Sequence, residues 1–215
     1  MKSQSFYSDP IYFSLMRQAG IEVRRRRKYR LGRGTLKGYL LAPNHLSRQF
    51  SVTAPDRVWG VDMTCVWTRE GWLHLAVVID LYARRVVGWA LADQVSEQLA
   101  LKALRMALHR RRPQPGLLHH SDRGGPYAGS EYVALLEAHG VVRSMSRAGD
   151  CWDNAVVERF FGSLKRERTY FSNYQTRQQA RQDLIDYMEE FYNQDRLHSY
   201  LGYMSPAAYE CVEYP

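Results

Sequence analysis

The sequence predicts an α/β domain built on a mixed β-sheet. Three observations carry that prediction: a strictly alternating segment at 57–67, two further apolar runs separated by a two-residue turn, and helical patterns that alternate with strand patterns from 96 onwards. The chain has 215 residues, 45% of them hydrophobic and 24% charged. Such values fit a globular protein with one well-buried domain and an appendage.

Taken in order, PIYFSLMRQAG (10–20) fits a short helix ended by Gly20. Residues 31–56, with their Gly, Pro and Asn content, read as an extended connector. In RVWGVDMTCVW (57–67), Trp59, Val61, Met63, Cys65 and Trp67 make one apolar face, and Asp62 lies on the other. LHLAVVIDLY (73–82) and RVVGWALA (85–92) complete a three-stranded meander. SEQLALKALRMALHRRR (96–112) is a helix: Ser96 caps it, Leu99, Leu104 and Leu108 form its stripe, and Pro113 follows its basic end. GLLHHSD is a short strand that delivers Asp122 at its C-terminal end, before the turn formers Gly124, Gly125 and Pro126. A helix over 129–139 ends at Gly140, and VVRSM (141–145) is another strand. From 153 the chain is mostly helical to about 194, with Asp153 as the expected N-cap, and a last helix starts near Ser205 and Pro206.

The net charge of +8 is unevenly distributed. Residues 1–50 hold eleven Lys and Arg against Asp9 and Glu22, while the remainder is close to neutral. The centre of that excess is RRRRKYR, which places Arg24, Arg25, Arg26, Arg27, Lys28 and Arg30 on an arm attracted to polyanions, nucleic acid being the commonest. Three scattered cysteines, Cys65, Cys151 and Cys211, argue against a disulfide framework and a cysteine zinc site. With no apolar run of membrane-spanning length and no signal-peptide pattern, the expected compartment is the cytosol, with no membrane partner.

The stretch DNAVVERFFGSLK (153–165) contains the residue that points to chemistry. Val157, Phe161 and Leu164 stack along one stripe, with Glu158, Gly162 and Lys165 beside it. Glu158 on a helix, Asp62 on a strand and Asp122 at a strand end come from three elements that a mixed sheet can bring together. Three converging carboxylates need compensating cations, and hard oxygen donors without cysteine select Mg²⁺ or Mn²⁺. Two such ions about 3.5–4 Å apart suit in-line phosphoryl displacement.

GVDMT around Asp62, HSDRGGPY around Asp122 and CWDNAVVERFFGSLKRE around Glu158, with 35 residues between the second Asp and the Glu, resemble the DDE transposases of bacterial insertion sequences. More narrowly, the chain resembles their IS-three type OrfB, whose core is similar to retroviral integrases. VIDLYARRVVGW (78–89) and NQDRLHSYLGYMSP (193–206) extend the likeness over roughly 21–210. The resemblance implies a ribonuclease-H-like five-stranded mixed sheet flanked by helices. It implies a basic arm at 1–50, the remnant of a DNA-binding segment, and a catalytic core with a C-terminal helical extension at 51–215. The implied activity is metal-dependent cleavage at element ends followed by 3′-hydroxyl strand transfer into target DNA. Asp62, Asp122 and Glu158 would hold two Mg²⁺ or Mn²⁺ ions, and Lys165 would contact DNA phosphate. The implied partners are DNA, further copies of the chain, and a first-reading-frame protein (OrfA) or fusion.

Rival expectations are a catalytically idle remnant that binds DNA, and a nuclease without strand transfer. His109 and Arg112 form an H-x-x-R that fits a helix end better than a tyrosine recombinase with Tyr127, Tyr132 or Tyr170. His119 and His120, adjacent on a strand, point to opposite faces and so make a poor zinc pair, with one expected in the core. His198 and Arg196 match a family motif with a structural or DNA-facing role.

Overall fold

The computed structural model describes residues 40–147 and 151–214, together with Gln18. Apart from Gln18, the helix expected at 10–20 lies outside the described residues, as does the arginine run at 24–30. The chain divides into two units, Met1–Thr35 and Leu36–Pro215, and the sheet with all its helices belongs to the second.

Strands β1 (Val58–Thr68), β2 (Gly71–Asp80) and β3 (Arg85–Ala92) form the expected antiparallel meander, with Asp62 opposite Val77. The β2–β3 connection takes four residues instead of two. Asp80 ends the strand early by accepting from the backbone N–H of Tyr82 at 2.9 Å and of Asp56 at 2.7 Å, and Arg84 turns the chain at φ 58°. Strand β4 (Leu118–Ser121) pairs parallel with β1, and β5 (Val142–Met145) parallel with β4, giving the order β3-β2-β1-β4-β5. The sheet is therefore mixed and five-stranded.

Helix α1 (Glu97–Arg111) starts at Ser96, whose hydroxyl accepts from Leu99 N–H, and ends at Arg112 in the left-handed region. With α2 (Ser130–Ala138) it covers one face, burying Trp59, Val61, Ala76 and Val78 against Leu104, Tyr132 and Leu136. The other face packs Leu73, Leu75, Val77 and Ile79 against α3 (Ala155–Leu164), α4 (Arg177–Asp186) and the wider turns Tyr187–Asp195 that continue α4. Each large side chain buried in this way contributes about 1.5–3 kcal/mol.

The apolar face of β1 is buried only where a helix covers it. Trp59 and Val61 are buried, whereas Trp67 is 57% exposed beside Trp72, because β4 pairs with β1 only as far as Gly60 and the outer half has β2 alone for a neighbour. The helical stretch from 153 is broken at 170–176. There Thr176 caps α4 by accepting from Gln179 N–H, and the Gln179 side chain accepts from Gln175 N–H, a capping-box signal present in the sequence. Helix α5 (Pro206–Glu213), capped by Ser205, is tied to the sheet end through Glu210 with Arg85 and Arg111.

Candidate active site

Helix α3 sits on β1 because the strand makes room for it. A β-carbon at Gly60 would come within 2.9 Å of Val157. Asn154, at the helix start, donates to the carbonyl of Val61 at 3.0 Å. Val157, Phe160, Phe161 and Leu164 are buried. With the helix locked in this rotation, Glu158 projects from its exposed flank and Lys165 begins the widened turns Lys165–Thr169 that follow.

Asp122 follows β4, and both histidines of that strand are buried, where one was expected. His119 bonds the Tyr132 hydroxyl at 2.9 Å, while His120 bonds the Ser144 and Ser146 hydroxyls. Burial pushes their imidazoles down, to about 3 and about 4, so both are neutral struts that hold β4 to α2 and β5. Gly124 N–H donates to Asp122 at 2.8 Å, and Arg123 is tied to the carbonyl of Ser146.

The charges of the other predicted residues are felt at Asp62. Burial first, then Asp122, and more weakly Glu158, raise the Asp62 carboxyl well above the usual aspartate range; the Met63 N–H and the Lys165 ammonium oppose them. Asp122 is raised by burial, against the Gly124 N–H. Among the described residues no group of three or more His, Cys, Asp or Glu is drawn tightly enough to hold a metal ion as it stands. Mutual repulsion keeps like charges apart. The donor set nevertheless fits a hard divalent cation: three carboxylates from three elements, with no described ion pair neutralising Asp62 or Asp122. The six basic positions from Arg24 to Arg30 lie outside the described residues.

Two features were missed in the sequence. Asp153 does not cap α3; it is completely buried and accepts from Arg48, Arg147 and Asn44, which hold its carboxyl far below the usual range. The second is Tyr127, whose buried hydroxyl has no partner among the described residues and is raised by burial, Asp62 and Asp122, so it lies within electrostatic reach of the carboxylates. His109 and Arg112 sit at the end of α1 as expected, with Arg112 N–H donating to Leu108. Arg196 pairs with Glu167, and His198 rests edge-on against Tyr192.

Two models described as integrase core domain match residues 52–151 and 139–206. A 31 kDa protein of insertion element IS600 from Shigella sonnei is 41% identical over 91% of this chain and 72% of its own length. The transposase for insertion sequence element IS904 from Lactococcus lactis is 40% identical over 85% of this chain and 73% of its own. The chain belongs to the integrase-core transposases. Transposase InsF for insertion sequence IS3A, from Escherichia coli, is 40% identical over 91% of this transposase and 68% of its own length. Membership makes the chain a polynucleotidyl transferase of the DDE transposase/integrase class. Solved structures confirm the ribonuclease-H-like fold. A chain of the simian T-cell lymphotropic virus intasome, in complex with a PP2A regulatory subunit, superimposes with a TM-score of 0.61 at 16% identity, covering 83% of this transposase and 60% of that chain. The HTLV-2 integrase catalytic core domain in complex with magnesium, in a trimeric form, gives 0.54 at 15% identity, covering 71% and 95%.

Proposed function

We propose that this transposase cuts a phosphodiester at the ends of its mobile element and joins the resulting 3′-hydroxyl to target DNA, using divalent cations held by Asp62, Asp122 and Glu158. The observation that carries the proposal is the meeting of their charges: Asp62 feels Asp122, Glu158 and Lys165 together, although strand, strand end and helix supply them. Bound Mg²⁺ or Mn²⁺, two ions in our reading, would supply the positive charge that activates an oxygen nucleophile and stabilises the leaving oxygen.

The chain's own residues do the rest. Asp62 and Asp122 are presented on a sheet stiffened by His119 and His120, so their carboxylates stay in place. Glu158 approaches on a helix whose rotation Asn154 and Val157 set. Lys165, close enough to oppose the rise of Asp62, would bind a phosphate oxygen beside the reacting bond. The arm at 1–50 would add sequence-independent attraction to DNA, and copies of the core at 51–215 would assemble on it, as the trimeric form of the HTLV-2 core supports. A first-reading-frame partner or fusion would supply end recognition.

The test is incubation of the full chain with element-end duplex and Mg²⁺ or Mn²⁺, followed by separation of nicked and joined strands. Wild type should give both. Glu158→Gln should reduce them to background while duplex affinity in chelator is retained. Cutting without joining would indicate a simple nuclease, and binding without any cut a catalytically idle remnant.

A further inference from the structure

Arg84, on the β2–β3 turn, is only 8% exposed, and arginine keeps its charge at any physiological pH. Its Nη2 donates to the carbonyl of Phe50 at 3.0 Å, and its guanidinium lies 4.2 Å from the ring centroid of Tyr200. Among the described residues its Nη1 is buried with no acceptor within hydrogen-bond distance, although the Tyr200 hydroxyl also acts on the guanidinium. No described carboxylate pairs with it.

The neighbours deepen that deficit. His198 Nε2 is also buried, with no partner among the described residues, and Arg84 and Arg196 both act on the His198 ring. Arg159 adds a third positive charge within reach of Arg84. The one carboxylate acting on His198 is Glu167, already engaged by Arg196 at 2.8 Å and by the Tyr187 hydroxyl at 2.7 Å. A buried arginine nitrogen lacking an acceptor and a buried imidazole nitrogen that can donate in one tautomer, among three guanidinium groups with no free acid described beside them, suit an anion.

We propose that Arg84, His198 and Arg159 form an oxyanion site that takes a backbone phosphodiester of the bound DNA. The tetrahedral phosphate offers several acceptor oxygens, enough for Arg84 Nη1, an Nε2–H of His198 and the fork of Arg159 at once. A carboxylate, with two oxygens, matches three donors less well. The placement of Arg159 favours DNA as the source: it directly follows Glu158 on α3, so one helix would direct one side chain to the reacting phosphate and the next to a neighbouring one. Tyr200, 53% exposed, lies over the guanidinium and would turn aside to admit the ligand. The assignment to DNA rests on the function proposed above; the oxyanion site itself does not.

The experiment uses the full chain and two readouts that require no cutting. The first is thermal unfolding in inorganic phosphate against chloride at matched ionic strength. The second is the salt dependence of binding to a duplex oligonucleotide in chelator. Phosphate should raise the melting temperature of wild type above that in chloride, and Arg84→Gln and Arg159→Ala should remove the difference. Each variant should also bind duplex about three- to tenfold more weakly at low salt and lose about one from the slope of log affinity against log salt. Arg159 is exposed, so its variant tests the idea even if the buried Arg84→Gln fails to fold. No preference for phosphate over chloride in wild type overturns the site and leaves water as the partner of Nη1. A phosphate effect abolished by the variants, with the duplex slope unchanged, overturns the assignment to DNA.

Discussion

Tyr127 sets the clearest test at the scale of a single residue. Its hydroxyl is buried within electrostatic reach of Asp62 and Asp122 and has no partner among the described residues, so the fold bears the desolvation of an unbonded group. Tyr127→Phe should therefore stabilise the chain by about 1 kcal/mol, read as a higher urea midpoint at unchanged slope. A loss of stability would mean that the hydroxyl bonds one of the carboxylates. The residues that carry chemistry differ in how plainly the sequence announces them. Asp62 stands out against an apolar alternation, and Glu158 beside a helical stripe, because neighbours with a fixed period make the exception visible. Tyr127 has no such frame: it reads as an ordinary aromatic after a glycine turn, and its meaning comes from Asp62, 65 positions earlier.

At the scale of elements, the seating of α3 on β1 decides where Glu158 points. Gly60→Ala should cost about 1–3 kcal/mol by driving a methyl group into Val157, and Val157→Ala should recover part of that loss in a double-mutant cycle. Additive effects would show that the two do not touch. The start of the same helix is held by Asp153, which ties Asn44 and Arg48 of the connector to Arg147. Because the folded-state carboxyl is depressed, its stabilisation is present above the ordinary aspartate value and lost as pH falls. Asp153→Asn should cost up to about 3 kcal/mol at neutral pH, less than a fully buried pair because both arginines are about half exposed, and the gap from wild type should close on acidification from about pH 5 towards 2. A gap independent of pH would contradict the ion pair. An aspartate before a helix looks like a cap; what overrides this reading is chiefly Arg147, six residues earlier but across the strand end, helped by Arg48, 105 residues away, and neither pairing follows a local period. Elements themselves were easier to read: Ser96, Thr176 and Ser205 each cap a helix through contacts three residues long. The break at 170–176 was not expected, although the Thr176 and Gln179 pair is a capping signal that marks the new helix start.

For the whole molecule, strand patterns told which segments pair in the meander, but not that β4 and β5 would add parallel to β1. That order needs α1 and α2 to cross one face while α3 and α4 fold back over the other, and no local period encodes it. The resemblance supplied the five-stranded architecture that local pattern could not. What the architecture achieves is to place Asp122 and Glu158, from separate parts of the chain, within electrostatic reach of Asp62. The most direct measurement is the anomalous diffraction of crystals grown with Mn²⁺. Manganese should be bound by oxygens of both Asp62 and Asp122, about 2.0–2.3 Å away, with Glu158 turned towards it. Manganese absent from these side chains in crystals that bind it elsewhere would contradict the shared metal centre.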